Sequence, residues 1–182
     1  MAAEVAAPLA RAVMERTELL AAFTEEPGRL TRRFGTQAHA EAGAAVSDWM
    51  GAAGMAVRRD AVGNLIGRYD AGDGDAPSLL LGSHLDTVPD AGRYDGALGV
   101  LAGIAAVERL VTAGTRLPFA LEVVAFADEE GARFGTAFLG SSVLAGGFDT
   151  ATLERADADG VSLEEAIRAF GGDPGRLAGA AR

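Results

Sequence analysis

The sequence predicts an α/β fold of three layers, α/β/α, built on a mostly parallel sheet, and two observations carry that prediction. Apolar runs of strand length at 78–82 and 118–127 are separated by a helical pattern at 96–113. Crossover spacing of this kind makes the two strands parallel and the connection right-handed. Both strands then end on one rim, where open α/β sheets collect their ligand sites. His84 follows the first run, and Glu129 and Glu130 follow the second.

The elements follow in order. Residues 5–23 place Leu9, Val13, Leu20 and Phe23 on one side, which predicts an amphipathic helix stopped by Glu26-Pro27-Gly28. A second helix is expected at 37–53, with Thr36 as N-cap, Gly54 as stop and Ala42, Val46, Trp49 and Met50 as its buried face. Residues 55–60 and 64–69 read as a β-hairpin around Ala61-Val62-Gly63. The stretch 70–77 is turn chemistry throughout and predicts an exposed loop. The run 78–82 is continuously apolar, the pattern of a central strand covered on both faces. Beyond the second strand of the crossover unit, short helices are expected at 138–144, 163–170 and 176–181.

At 182 residues the chain fits one ordinary domain or a piece of a larger protein. A net charge of −10, from 26 acidic and 16 basic residues, disfavours nucleic acid and anionic membranes and favours small molecules and cations as partners. With no cysteine there is no disulfide, no thiolate nucleophile and no Cys-ligated zinc, so any metal must be held by histidine and carboxylates. Glu4, Arg11, Glu15 and Arg16 interrupt the start of the chain, which therefore lacks the apolar core of a signal peptide. The longest apolar run, 96–107, is shorter than the ~18 residues of a membrane span, and the protein is expected to be cytoplasmic.

The chemistry concentrates at the rim. Two divalent ions close together need carboxylates that can bridge and histidines as outer ligands, and His84, Asp95 and Glu130 supply those types. Such donors suit zinc, manganese and cobalt alike. Asp86 is spaced to accept the other imidazole N–H of His84 and fix the ring. Glu129, beside Glu130, is then free to take a proton from the attacking water. Each residue also has a plainer reading: a strand-end histidine bonded to backbone, turn and N-cap aspartates, an acidic strand terminus in water. Their convergence on one rim favours the metal site. His39 reads as a surface or locally bonded residue, not a ligand. Arg32-Arg33 and Arg58-Arg59 fail as basic patches on the overall charge, and the glycines at 96–99 and 140–142 lack the spacing of a phosphate loop.

Three motifs carry a family likeness: Gly82-Ser83-His84-Leu85-Asp86-Thr87-Val88-Pro89, then Gly92-Arg93-Tyr94-Asp95-Gly96-Ala97-Leu98-Gly99-Val100, then Phe126-Ala127-Asp128-Glu129-Glu130-Gly131-Ala132-Arg133-Phe134. They resemble the M20 metallopeptidase clan, in its branch of allantoate amidohydrolases and N-carbamoyl-L-amino-acid hydrolases. Leu30-Thr31-Arg32 and Asp60-Ala61-Val62-Gly63-Asn64 extend the likeness over nearly the whole chain. The resemblance implies that His84 ligates one metal ion, Asp95 bridges two, Glu130 ligates the other, Glu129 is the general base and Asp86 orients His84. It also implies a cis peptide at Asp95-Gly96.

The family's remaining ligands, in a His-x-Glu-Gln-Gly motif and near the C-terminus, have no counterpart here, nor does its lid and dimerisation domain. Residues 1–182 are therefore expected to be the N-terminal part of a catalytic domain. The implied activity is metal-dependent hydrolysis of a ureido or carbamoyl C–N bond, in allantoate or an N-carbamoyl-L-amino acid, by a protein that is a homodimer at full length. The alternatives are a non-catalytic fragment or partner-dependent module, and an M20 dipeptidase.

Overall fold

The computed structural model describes residues 2–71 and 76–181, so part of the loop expected at 70–77 lies outside the described residues. The elements run α1 (Ala2–Ala21), α2 (Gln37–Ala52), β1 (Ala56–Arg59), β2 (Leu65–Tyr69), β3 (Ser78–His84), α3 (Ala97–Thr112), β4 (Ala120–Phe126), α4 (Leu139–Leu144) and α5 (Leu163–Ala169). Short 3-10 turns at Thr150–Glu154 and Pro174–Gly179 complete them. Thr36 caps α2 as expected, its hydroxyl accepting the His39 N–H at 3.3 Å.

One mixed sheet holds the strands in the order β1-β2-β4-β3. The hairpin pairs are antiparallel and β2 joins β4 antiparallel. β3 and β4, on either side of the crossover helix, are parallel in a register that sets His84 opposite Phe126. Helices α1, α2 and α3 share one core with the sheet, in which Val13, Leu20, Val46, Met50, Val100, Leu101, Ile104 and Val107 meet Leu65, Tyr69, Leu121, Val123 and Ala125. Each of the Val, Leu, Ile and Met side chains contributes about 1.5–3 kcal/mol on burial. A second cluster around Phe34, Val62, Ala127, Phe134, Leu139, Leu163 and Ile167 gathers the later helices. Among the described residues no helix is long and apolar enough to cross a membrane.

The placement of β3 corrects the sequence reading. It is an edge strand among the described residues, with Leu79 49% and Leu80 39% exposed, and the central strand is β4, which is buried almost throughout. An apolar run reports that a strand is hydrophobic; it carries no information on whether a neighbour lies beyond it. α3 comes down closely on the β3–β4 pair because Gly99 and Gly103 face it: a Cβ on Gly99 would stand 2.6 Å from the Ser83 hydroxyl.

His39 is locally bonded, as one of its two readings had it, but it does not lie on the surface. It is 4% exposed, stacked on Phe170 at 4.8 Å and edge-on to Phe34, and its Nδ1 accepts the Gly35 N–H. Burial, helped by nearby Arg32, Arg59 and His84, pushes its pKa down to about 3. The unfolded chain therefore takes up a proton below about pH 6.5 that the folded chain refuses. Stability from this residue is present above pH 6.5 and is lost as the pH falls towards 3. Relative to a His39→Gln variant, the wild type should lose about 1.4 kcal/mol per pH unit between pH 6 and 4, read from urea unfolding at each pH. A difference that stays flat with pH would refute the neutral, buried histidine.

Candidate metal centre

The rim is assembled from three segments: the end of β3 and the loop after it, the turn that starts α3, and the turn after β4. His84, the last residue of β3, is 8% exposed. Asp95 precedes Gly96, which caps α3 at φ 67 and lies so near His84 that a Cβ would come within 2.5 Å of the imidazole. Ser83 donates its hydroxyl to the Gly96 carbonyl at 2.8 Å and fastens that turn to β3. No peptide among the described residues is cis, so the expected cis bond at Asp95-Gly96 is corrected: the chain reverses there through the positive φ of glycine.

His84, Asp95 and Glu130 each offer a donor atom, and these three atoms lie within 4.8 Å of one another, the one such group among the described residues. His84 Nε2 is 3.7 Å from Asp95 Oδ1 and 3.8 Å from Glu129 Oε2. Asp95 is exposed, whereas Glu129 and Glu130 are half-buried. One imidazole and several carboxylates around one point could hold a divalent cation.

Asp86 supports this group in a way its side chain alone does not explain. The sequence reading set its carboxylate on the second imidazole nitrogen. In the structure the Asp86 main-chain carbonyl faces His84 Nδ1 at 2.9 Å, and the carboxylate stands 3.7 Å away. That carboxylate instead accepts the Glu129 N–H at 3.2 Å and the Glu130 N–H at 3.1 Å. One buried residue thus touches both the histidine and the main chain beneath the two glutamates. Burial raises its pKa, opposed by those N–H donors and by His84.

The turn after β4 is tightly wound. Asp128, at φ 47, and Gly131, at φ 65, are left-handed, and a Cβ on Gly131 would lie 2.5 Å from the Ala137 nitrogen. The carbonyls of Ala127, Asp128 and Glu129 accept the N–H groups of Gly140, Leu139 and Phe138 in turn. Phe138, itself left-handed at φ 63, leaves 59% of its surface in solvent beside the glutamates. Burial and the Asp86 charge push the Asp128 carboxyl up to about 7, opposed by the Gly131 N–H and the Arg133 charge. Glu130 is also raised, first by burial, with His84 opposing.

All five residues singled out at the rim therefore lie together. Sequence reasoning missed Asn64, whose buried amide accepts the Ala127 N–H at 2.8 Å and donates to the Gly140 carbonyl at 3.0 Å, tying the hairpin to this turn. It missed the contribution of Arg32 as well. Asn64 ends a hairpin turn and Arg32 sits in a polar stretch, so neither carries a local sign of burial.

Residues 80–178 match the model of Peptidase family M20/M25/M40. The chain is 46% identical over 155 residues to the N-carbamoyl-L-amino acid amidohydrolase of Geobacillus stearothermophilus, covering 85% of this chain and 38% of that protein. It is 39% identical over 155 residues to the allantoate deiminase of Arabidopsis thaliana, covering 84% and 30%. A crystal structure of a hydantoinase/carbamoylase family amidase from Burkholderia ambifaria superposes with a TM-score of 0.81 at 41% identity, over 91% of this chain and 40% of that one. The chain thus spans between 30% and 38% of the length of these curated relatives.

The Gly96 approach yields a direct test. Gly96→Ala adds both a left-handed alanine and a methyl group against His84, and should destabilise the chain by about 1–3 kcal/mol in urea unfolding. Gly92→Ala, in the same loop with open space around its α-carbon, serves as the comparison. An equal effect at both positions would contradict the packing of Gly96 on His84.

Proposed function

The chain belongs to Peptidase family M20/M25/M40, in its branch of N-carbamoyl-L-amino-acid and allantoate amidohydrolases, and from that membership we propose that it carries the metal-binding rim of an amidohydrolase acting on a ureido or carbamoyl C–N bond. The observation that carries the reading is the convergence of His84, Asp95 and Glu130 within 4.8 Å. Their nitrogen and carboxylate donors fit zinc or manganese, with cobalt as a further candidate.

His84 and Glu130 would each hold one of two divalent ions and Asp95 would bridge them. When bound, such ions polarise a carbonyl oxygen and make water acidic enough to react at neutral pH. Glu129, 3.8 Å from His84 through Oε2, is the group that takes a proton. As water adds to the ureido carbon, one of its protons passes to the Glu129 carboxylate. The same carboxyl then gives that proton to the departing nitrogen as the C–N bond breaks. Asp86 acts through position, its carbonyl holding His84 and its carboxylate holding the main chain of both glutamates.

In this reading residues 1–182 are the N-terminal part of a catalytic domain, supported by the share of each relative that the chain covers. Homodimerisation and a cytoplasmic location belong to the same proposal, on the family likeness. A second reading is favoured by the exposure of Asp95, whose side chain is 64% accessible: the chain binds metal at this rim without turnover of its own.

Turnover of allantoate and N-carbamoyl-L-amino acids by the metal-loaded chain, abolished by chelator and restored by zinc or manganese, should fall 10²–10⁴-fold in Glu129→Gln with bound metal unchanged. Retention of more than a tenth of wild-type turnover would remove Glu129 from its role. Metal binding that depends on His84, with no turnover in the wild type, would establish the second reading.

A further inference from the structure

Arg32 is 1% exposed, as buried as the core residues Leu20 and Ile66. Burying a charge is expensive unless it is compensated. No carboxylate among the described residues is in ion-pair contact with it; its acceptors are carbonyls. Nε donates to Leu85 O at 2.7 Å, and Nη1 donates to Leu20 O at 2.6 Å and Phe23 O at 3.1 Å, at the end of α1 where the helix dipole is negative. Its main chain is committed to the same loop: Arg32 N–H donates to Thr87 Oγ1 at 2.9 Å, and Thr87 N–H donates to Arg32 O at 3.0 Å.

The pattern of these bonds is informative. Of the three residues after His84, the first and third, Leu85 and Thr87, are held by Arg32. The one between them, Asp86, turns to the rim, with its carbonyl on His84 and its carboxylate under Glu129 and Glu130. Leu85 is held through its carbonyl and Thr87 through its hydroxyl and its N–H, so Asp86 is anchored from both sides. Fixing 85 and 87 limits how the residue between them can turn. Burial lowers the Arg32 pKa to about 10 while attraction to Asp86 opposes the fall, consistent with a retained positive charge facing that carboxylate.

We propose that Arg32 is a positioning residue for the metal centre, a buried clamp that sets the orientation of Asp86 and, through it, of His84, Glu129 and Glu130. The proposal rests on the reading of His84, Asp95 and Glu130 as metal ligands. It assigns to the Leu30-Thr31-Arg32 stretch a function in metal affinity beyond joining α1 to the sheet.

The test is calorimetric titration of the 182-residue chain with zinc and with manganese at 10 °C, alongside thermal unfolding of the metal-free forms. Wild type should bind and His84→Ala should not; if both behave alike, the reading of the metal site fails, whatever Arg32 does. If they differ, Arg32→Met should weaken binding at least tenfold, the range typical for residues that orient ligands. Arg32→Lys, which keeps the charge and loses the fork, should recover part of that loss. Met50→Ala, a core truncation at a fully buried site on α2, should lower Tm and leave affinity within twofold of wild type. An Arg32→Met chain that is folded at 10 °C and binds as wild type would overturn the proposal. Should Arg32→Met fail to fold, Arg32→Lys decides: wild-type affinity with a lowered Tm means that Arg32 is structural only.

Discussion

The parallel pairing of β3 with β4 is the constraint on which the rest depends. Its register sets His84 against Phe126, so the loop beginning at Leu85 and the turn beginning at Ala127 leave the sheet side by side. A shift by one residue would reverse the facing of every side chain on one strand. The register is held by side chains that admit no slack: the Phe126 ring lies where a Cβ on Gly82 would sit, at 2.5 Å, and Ser83 is bonded to the Gly96 carbonyl at 2.8 Å. Residues over forty positions apart in sequence therefore meet in one small volume. The crossover helix between them supplies the third segment, through Asp95 and Gly96, at no further topological cost.

What was legible in the sequence is what local pattern and crossover rules determine. The helix at 37–53 with its Thr36 cap, the hairpin, and the strand–helix–strand unit emerge near the expected positions, since each depends on periodicity and turn residues within its own span. Position within the sheet was not legible. The run at 78–82 satisfies the hydrophobic requirement of a central strand, yet Leu79 and Leu80 lie at the edge, because neighbour order is set by long-range packing. The convergence at the rim was legible in residue identity and invisible in atomic detail: nothing local indicates that Asp86 meets His84 through its carbonyl. Burial of His39 and Arg32 was equally hidden, since polar residues read as exposed unless a partner can be named.

Those hidden residues share a physical logic. The interior holds Arg32, His39, Asn64, Asp86, Glu122 and Asp128, an expensive set for a domain of this size. Several are compensated across long sequence distances: Glu122 by Arg68 at 3.0 Å, Asn64 by main-chain groups of Ala127 and Gly140, Asp86 by the amides beneath the glutamates. Replacing buried ion pairs by apolar groups of similar volume is often neutral or stabilising, so stability alone does not account for them. Here Arg32, Asn64, Asp86 and Asp128 fall at the loops that follow β3 and β4, while Glu122 pairs with Arg68 within the sheet and His39 packs on α2.

The exposure of the donors adds a last step. His84 is 8% exposed and rests on Gly96, while the Asp95 side chain is 64% accessible. Imidazole and Asp86 lie where the local dielectric is low; Asp95 faces water, where its charge is screened. Burial therefore decreases across the site, from the strand end beside Arg32 to the turn before α3. On the proposed reading, the buried side would set where a cation sits and the exposed carboxylate would adjust to it.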